Sequence, residues 1–494
     1  MKNKRFASRL GASLLALLML GGALASCADP TGGDETTAPE TTAAVDLDEV
    51  TEDIYADVPT ADYADAEIHV LNNTSSWALT TMESSEQLGD TVADAITNRN
   101  SIVESALKVK IVYETVSNVQ STIIKDQDTQ TNYYDFFFDS AKSNTKLAIE
   151  GRLENLKNVE GISLDKEWWY PTSTNSIAIG DAVYMAFSDA HLHYHEGFYV
   201  SIFNKDLMAN YAELEDPYKL VENNTWTIEK LNQMEKIVAT GLDGEGKKDI
   251  SDSSSIYGLT AHYNSGVSMM LGFGTSLLNY DENNLPMANF TGANEKFIDA
   301  YTKVRETIYD TILCGSSISD GYANLGGGQH KVFSEGRALF IYEVTGTLKQ
   351  HREDSFTYGI VPSPKYNEEQ ENYISPIAVT VAALAIPTGC PDVDRAGIIV
   401  ENLASASHKV VKPAYYNITL CYKYNKDPQA IAILDTVYRN GAFELAYVYD
   451  FGSLRTTIEN DFKANKLDVS GDIASKRKVV NNAITKALTG LGVG

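Results

Sequence analysis

Apolar and polar residues alternate along the first half of the chain in a pattern that predicts strands and helices in turn. Residues 66–71 and 109–113 have the alternation of short strands, while apolar residues recur at helical spacing over 90–107. A second helix is expected over 117–126, followed by a buried strand over 133–138. Strands that alternate with helices predict an α/β fold with a largely parallel sheet.

The rest of the chain contains both strand-like and helix-like patterns. Residues 181–187 and 197–203 are strand-like, and Thr227 is a plausible N-cap for the helix that follows it. The longest apolar run after the N-terminal region, 377–386, has the length of a buried strand, and 474–488 has the pattern of an amphipathic helix. These elements predict further α/β structure up to the C-terminal region.

The N-terminal region has the order of an export signal. Basic residues come first, then an apolar run, then Leu24-Ala25-Ser26-Cys27, which is typical of a bacterial lipoprotein signal. This order predicts a signal peptide over 1–26 and a lipid on Cys27, and the alternative is an ordinary secretory signal. Residues 27–64 are acidic and poor in large apolar side chains, which predicts a disordered linker. The expected location is the outer face of the cell membrane.

Composition and charge narrow the class of protein. The chain has 494 residues, so two packed units are expected, and 43% hydrophobic residues exclude overall disorder. With 40 Lys and Arg against 67 Asp and Glu, the net charge of −27 argues against nucleic-acid binding. The remaining cysteines, Cys314, Cys390 and Cys421, match no zinc or redox motif, and Cys390 with Cys421 is the first disulfide to test.

Short signatures carry a resemblance to a known family. They lie, in order, at 184–187 (YMAF), 203–207 (FNKDL), 225–227 (TWT), 333–340 (FSEGRALF) and 358–365 (YGIVPSPK). In these segments the chain resembles the extracellular solute-binding proteins of family 1, the group of maltodextrin-binding protein, which serve ABC importers. The correspondence extends over most of the chain after the linker. The chain departs from the pattern at Phe203, where Tyr is usual, and in an insertion around Glu368 to Tyr373.

The resemblance implies a type II periplasmic-binding-protein-like fold. Two α/β lobes are then joined by three crossings, which are expected near 188–195, 342–345 and 406–412, and a ligand lies in the cleft between the lobes. The expected domains are lobe 1, from 65–192 plus 346–408, and lobe 2, from 193–345 plus 409–494.

A sugar ligand needs aromatic faces and side chains that exchange hydrogen bonds with hydroxyl groups. Such residues are expected in the loops after parallel strands, because these loops face the cleft in open sheets. For Trp77 the alternative is packing on its own lobe, for Asp139 a helix N-cap, and for the tyrosines core packing. The candidate ligand-binding residues are Asn72, Trp77, Asp139, Ser140, His193, Tyr263, Glu343 and Phe451.

Three histidines, His191, His193 and His195, alternate in the sequence. On an extended segment their imidazoles would share one face, as a zinc site requires, while the alternative is hydrogen bonding at a crossing. The leading hypothesis is a non-catalytic, monomeric sugar-binding subunit that needs no cofactor or metal. Its expected partners are ABC permease subunits and, through the lipid on Cys27, the membrane. The competing hypotheses are a secreted glycoside hydrolase with paired carboxylates and a metal-capturing lipoprotein.

Overall fold

The computed structural model describes residues 57–73, 82, 90–239, 253–287, 293–310, 314–316, 328–416 and 427–492. The expected signal peptide, Cys27, the linker up to residue 56, Trp77 and Cys421 lie outside these residues. The expected end of the disordered linker at residue 64 is wrong, because the Tyr63 amide donates to the Leu107 carbonyl at 3.0 Å and Val58 is buried. In the described part, no helix has both the length and the apolar character needed to cross a membrane.

Strands and helices alternate through most of the described chain. The strands are β1 Ala66–Asn73, β2 Val109–Val116, β3 Phe136–Ser140, β4 Tyr199–Asn204, β5 Tyr257–Ala261, β6 Asn279–Tyr280, β7 Pro286–Met287, β8 Cys314–Ser316, β9 Ala338–Val344, β10 Tyr358–Pro362, β11 Ser375–Pro376, β12 Ala382–Ala385 and β13 Gly441–Ala442. The α-helices are α1 Asp90–Leu107, α2 Val119–Asp128, α3 Ala141–Ile149, α4 Pro171–Ser176, α5 His193–Glu196, α6 Lys205–Met208, α7 Pro217–Glu222, α8 Ile228–Val238, α9 Tyr263–Gly272, α10 Ala293–Arg305, α11 Gly328–Ser334, α12 Val393–Ala406, α13 Pro428–Arg439, α14 Leu445–Tyr449, α15 Leu454–Lys463 and α16 Ser470–Gly490. Short 3-10 helices occupy Leu156–Asn158, Thr345–Gln350 and Phe451–Ser453, and π-helices occupy Glu306–Asp310 and Ser407–Val411.

The first sheet has the strand order β12-β3-β1-β2. Strands β1, β2 and β3 are parallel, and β12 pairs antiparallel with β3. Ile68 and Val70 alternate with polar positions along β1 and are fully buried, while all three phenylalanines of β3 are buried on its two faces. Because β1 and β3 run in the same direction, their carboxyl ends, Asn73 and Ser140, lie at one edge of the sheet.

The second sheet has the strand order β10-β4-β9-β5-β8. Its β9, β5 and β8 strands are parallel, whereas β4 pairs antiparallel with both β9 and β10. The expected parallel arrangement therefore holds for the inner strands of the first sheet and for one side of the second.

Within the described residues, the chain passes between the two sheets three times, after α3, after β10 and after α12. One expected boundary is wrong, because β10 lies within 346–408, assigned to lobe 1, yet it pairs with β4 of the second sheet. Gly359 allows this strand to approach closely, since a Cβ there would lie 2.3 Å from the ring of Phe203. The second passage therefore begins after Pro362, later than the expected crossing at 342–345.

Several predicted elements are confirmed. The helix predicted over 90–107 is α1, and α8 is capped by Thr227, whose hydroxyl oxygen accepts a hydrogen bond from the Lys230 amide at 3.2 Å. The amphipathic pattern of 474–488 lies within α16, which is slightly longer at both ends.

Three predictions of extended structure are wrong. Residues 181–187 form turns with isolated bridges, and only β12 of the apolar run 377–386 is a strand. The segment 191–195 is not extended, because it runs into α5, where the His195 amide donates to the carbonyl of the N-cap residue Leu192 at 2.9 Å. Apolar runs alone do not distinguish strands from buried turns.

Candidate functional site

The carboxyl edge of the first sheet brings together three polar residues. Asn73 Nδ2 and the Ser140 amide donate to Asp139 Oδ1 at 2.5 and 2.7 Å. Burial raises the pKa of the Asp139 carboxyl despite these hydrogen bonds. Ser140, not Asp139, is the residue before α3, and its hydroxyl lies 2.6 Å from that of Ser143. The candidates Asp139 and Ser140 therefore share one edge with the end of β1.

Asn72 lies beside this group on the opposite face of β1, because successive side chains alternate along a strand. It pairs across the sheet with Phe138 and has 0% exposure. Neither its side-chain oxygen nor its nitrogen has a hydrogen-bond partner. Buried amides are normally hydrogen-bonded, so Asn72 offers both a donor and an acceptor to a ligand or a water molecule.

The three alternating histidines do not converge on one point. His193 Nδ1 accepts from the Ala382 amide at 3.3 Å, and the His191 and His193 ring centres are 6.0 Å apart. The imidazole of His195 instead meets Asp189, at 3.0 Å. Among the described residues, no group of three or more His, Cys, Asp or Glu is arranged to hold a metal ion. The shared imidazole face that an extended segment would give is therefore not formed, and His193 lies next to β12 at the first passage between the sheets, where the alternative interpretation expects hydrogen bonding.

Asp189 connects two of the passages between the sheets. Its buried carboxylate accepts from Tyr170 at 2.5 Å, His195 at 3.0 Å and His408 at 2.6 Å, and Lys412 lies 3.4 Å away. Burial alone raises the pKa of Asp189, but the hydrogen bonds from the two histidines and the charge of Lys412 hold it below its usual value. A cavity of about 400 Å³ lies next to this group.

Arg99 of α1 holds the same two passages from the side of the first sheet. Its buried guanidinium donates to the Ala190 carbonyl at 3.0 Å and to the Ser407 hydroxyl at 3.2 Å. Ala190 precedes α5, and Ser407 begins the π-helix after α12. Hydrogen bonds from Arg99 therefore join the first and third passages at the points where both leave the first sheet.

On the second sheet, Glu343 lies at the end of β9, immediately before the 3-10 helix. Its side chain is 12% exposed and accepts from the Val344 amide at 3.0 Å. Burial raises the pKa of Glu343 to about 7, although the Val344 and Gln329 hydrogen bonds oppose this shift. The His330 imidazole is 4.0 Å from the Glu343 carboxylate.

The other candidates of the second sheet have different surroundings. Tyr263 begins α9 directly after β5, as expected from the sequence, and its side chain lies outside the described part. Phe451 is 2% exposed and stacks on Tyr449 at 5.3 Å between ring centres, so it packs inside the protein in this conformation.

Trp168 and Trp169 are both buried and have a structural role. Both indole nitrogens donate to the Glu401 carboxylate of α12, at 3.0 and 2.9 Å. Cys390 carries a free thiol, and Cys421, its partner in the first disulfide to test, lies outside the described residues. Burial raises the pKa of that thiol to about 12.

Sequence reasoning misses His330, Asp189 and Arg99. Each acquires its role from partners distant in the sequence, such as Ser407 for Arg99, 308 positions away. The sequence does contain one indication of His330, because this residue lies one helical turn before the segment 333–340, which carries part of the family resemblance.

Comparisons with known proteins identify the fold. No protein-family model matches the sequence, and a search of curated proteins finds no match. An ABC substrate-binding protein of Listeria monocytogenes in complex with cycloalternan is 12% identical with a TM-score of 0.51, over 87% of this chain and 100% of that one. A cyclo/maltodextrin-binding protein complexed with maltotetraose is 11% identical with a TM-score of 0.53, over 86% of this chain and 97% of that one.

At such identities the likeness shows the fold. The chain has the type II periplasmic-binding-protein-like fold, with two α/β lobes, as its signatures imply. Its first sheet belongs to one lobe and its second sheet to the other. The edges that carry Asp139 and Glu343 are the ends of strands from different lobes.

Proposed function

We propose that this protein is the lipid-anchored, extracellular substrate-binding subunit of an ABC importer, and that it binds a carbohydrate without changing it. The fold supports this function, since the two similar structures are a substrate-binding protein with cycloalternan and a binding protein with maltotetraose. The observation that carries it is the buried, unpartnered amide of Asn72 at the carboxyl edge of the first sheet. Such an amide gains a donor and an acceptor contact from a sugar hydroxyl.

The binding site would combine residues of both lobes. Lobe 1 contributes Asn72, Asp139 and Ser140 from the strand ends, and Trp77, which lies outside the described residues, stays a predicted contact from the sequence alone. Lobe 2 contributes Glu343 and the segment that begins at Tyr263. His193 lies at the first passage between them, and Phe451 would need a rearrangement to be exposed.

A thermal-shift panel of neutral glycans, with maltotetraose and cycloalternan included, tests the proposal. A binding sugar should raise the melting temperature and be recovered intact by chromatography. Asp139→Asn should reduce that rise, whereas the matched control Asp435→Asn, an exposed carboxylate paired with Arg439, should keep it. A panel without any shift, or steady cleavage of the bound sugar, would contradict the proposal.

Anchoring is tested separately in cells that process lipoproteins. The full chain should incorporate labelled fatty acid and sediment with membranes, because two acyl chains give stable attachment. Cys27→Ser should lose both properties and leave the melting temperature unchanged. Release of the unmodified chain into the medium would indicate an ordinary secretory signal instead.

A further inference from the structure

A line of hydrogen-bonding side chains in lobe 2 ends at Glu343. His351 Nδ1 lies 2.8 Å from Asp354 Oδ2, and His351 Nε2 lies 3.2 Å from His330 Nδ1. The Ser334 hydroxyl donates to the same Asp354 oxygen at 3.0 Å. His330 Nε2 then faces Glu343 Oε2 across 4.0 Å.

Asp354 determines the direction of these hydrogen bonds. A carboxylate only accepts, so a His351 imidazole that hydrogen-bonds to Asp354 carries a proton on Nδ1, and in the neutral ring Nε2 is then the acceptor that faces His330. His330 must then donate from Nδ1, which leaves its Nε2 as an acceptor. Burial and the nearby His351 and His262 lower the pKa of His330 to about 4, so it is neutral near pH 7.

Two acceptors therefore face each other when Glu343 is ionised. Their side chains are 15% and 12% exposed for His330 and Glu343, so both reach the surface of lobe 2. At 4.0 Å they are too far apart to bond directly, but the gap fits a group with two hydrogens to donate. A protonated Glu343 can instead donate its own hydrogen to His330.

The surroundings of Glu343 include titratable groups from several elements. From α11 come His330 and the amide of Gln329, and behind His330 lie His351, Asp354 and His262. From β4 comes Tyr199, which interacts electrostatically with both Glu343 and Glu459 of α15, and Tyr342 precedes Glu343 on β9. Lys463 of α15 interacts with His262. Neither Tyr199 nor Tyr342 ionises near neutral pH, since burial raises the pKa of both hydroxyl groups.

We infer that Glu343 and His330 form a paired hydrogen-bond acceptor for the ligand, which takes two donor hydrogens, as a vicinal diol or an amine of a sugar supplies. The inference rests on the proposed function and adds His330 to the binding residues. A proton on Glu343 competes with the ligand, because it satisfies His330 from within the protein. The pair also disfavours sugar phosphates and uronates at this position, since their anionic oxygens bring no donor hydrogens.

The first test uses the ligand-free protein and is independent of any sugar. Nitrogen-15 NMR of the histidine rings should show His330 and His351 protonated on Nδ1 and unprotonated on Nε2. Asp354→Asn should change the tautomer of His351 and, through it, that of His330. A His330 ring protonated on Nε2 in the parent protein would overturn the inference even if sugars bind.

The second test measures affinity by calorimetry at pH 6 and pH 8, with maltotetraose as the probe or, if it does not bind, the strongest glycan of the panel. A carboxyl that titrates near pH 7 is about tenfold more ionised at pH 8 than at pH 6, so affinity should rise by about tenfold. Glu343→Gln should bind weakly at both values, because its amide donates permanently to His330. The matched control Glu353→Gln removes an exposed carboxylate beside Asp354 and should keep the pH dependence.

The outcomes separate the inference from the proposed function. A sugar that binds equally well at both pH values, or equally well to Glu343→Gln, overturns the paired acceptor and leaves the sugar-binding function intact. A panel without binding contradicts the function, while the NMR result still decides the arrangement of His330. His330→Phe should lower affinity at pH 8, and unchanged affinity would remove His330 from the site.

Discussion

A single buried residue can reveal a binding site when its polar atoms lack partners. Asn72 is such a residue, whereas Asn402, also buried, donates to the Pro59 and Ile398 carbonyls at 2.9 Å. Leaving a buried amide unsatisfied costs about 1–3 kcal/mol, so a protein retains one where a ligand or water completes it. The residue type at position 72 was predictable from its place after a strand, but its lack of partners depends on the packing around it.

Asn72→Leu tests the role of this amide. Leu has a similar shape and no polar atoms, so the free energy of unfolding of the ligand-free protein should rise by about 1 kcal/mol. The sugar-induced rise in melting temperature should disappear. Chemical denaturation and thermal shift measure the two effects, and Asn402→Leu is the matched control, which should be destabilised by about 1–3 kcal/mol. A destabilised Asn72→Leu would mean that the amide has a partner in the ligand-free protein.

Helices were predictable where the spacing of apolar residues gave a clear local signal. This holds for α1 and for α8, where the N-cap residue Thr227 adds a second signal. Elements were not predictable where long-range contacts replace local preference. Residues 181–187 are apolar enough for a strand, yet they form turns whose bridge to Leu384 joins distant parts of the chain. The Asp189 group likewise joins elements more than 200 positions apart, so its function in holding the passages together has no local signature.

Asp189→Asn tests the connection between the first and third passages. The substitution removes the buried negative charge beside Lys412 and exchanges one acceptor oxygen for a donating amide nitrogen, and breaking a buried ionic group in this way costs about 3–5 kcal/mol. In the parent protein the pKa of Asp189 is lower in the folded state, so its contribution is present above the unfolded pKa of about 4 and is lost on further acidification.

Urea denaturation at pH 7 and pH 3 measures this effect. The difference in stability between the parent and Asp189→Asn should be smaller at pH 3. The control Asp435→Asn removes an exposed carboxylate and should change stability by about 0–1 kcal/mol. An equal difference at both pH values would show that Asp189 is not the titrating group.

The described residues form two lobes joined by three passages, an arrangement that permits hinge closure around a ligand. The fold was predictable from the short sequence signatures of the family. At position 203 the chain has Phe where the family usually has Tyr, and this departure leaves the junction between β4 and α6 intact. The second passage was predicted too early in the chain. Nothing in the sequence of an antiparallel strand such as β10 indicates which of the two sheets it joins.

Ligand binding should therefore change both stability and shape. A ligand at one hundred times its dissociation constant stabilises the folded state by about 2.7 kcal/mol if it binds only that state. Small-angle scattering should show a smaller radius of gyration with the saturating sugar, and a non-binding sugar serves as the control. Stabilisation without compaction would place the ligand outside the cleft or show that the lobes do not move.

The hydrogen bonds of the Arg99 guanidinium bear on where the chain would bend if the two lobes move. Since it grips Ala190 and Ser407 together, those two points should move as one rigid piece with α1. We therefore expect any rotation of one lobe against the other to be taken up beyond these two points, in the parts of the first and third passages nearer to lobe 2. If the lobes close around a ligand, the axis of that rotation should lie nearer to lobe 2 than the contacts of Arg99 do.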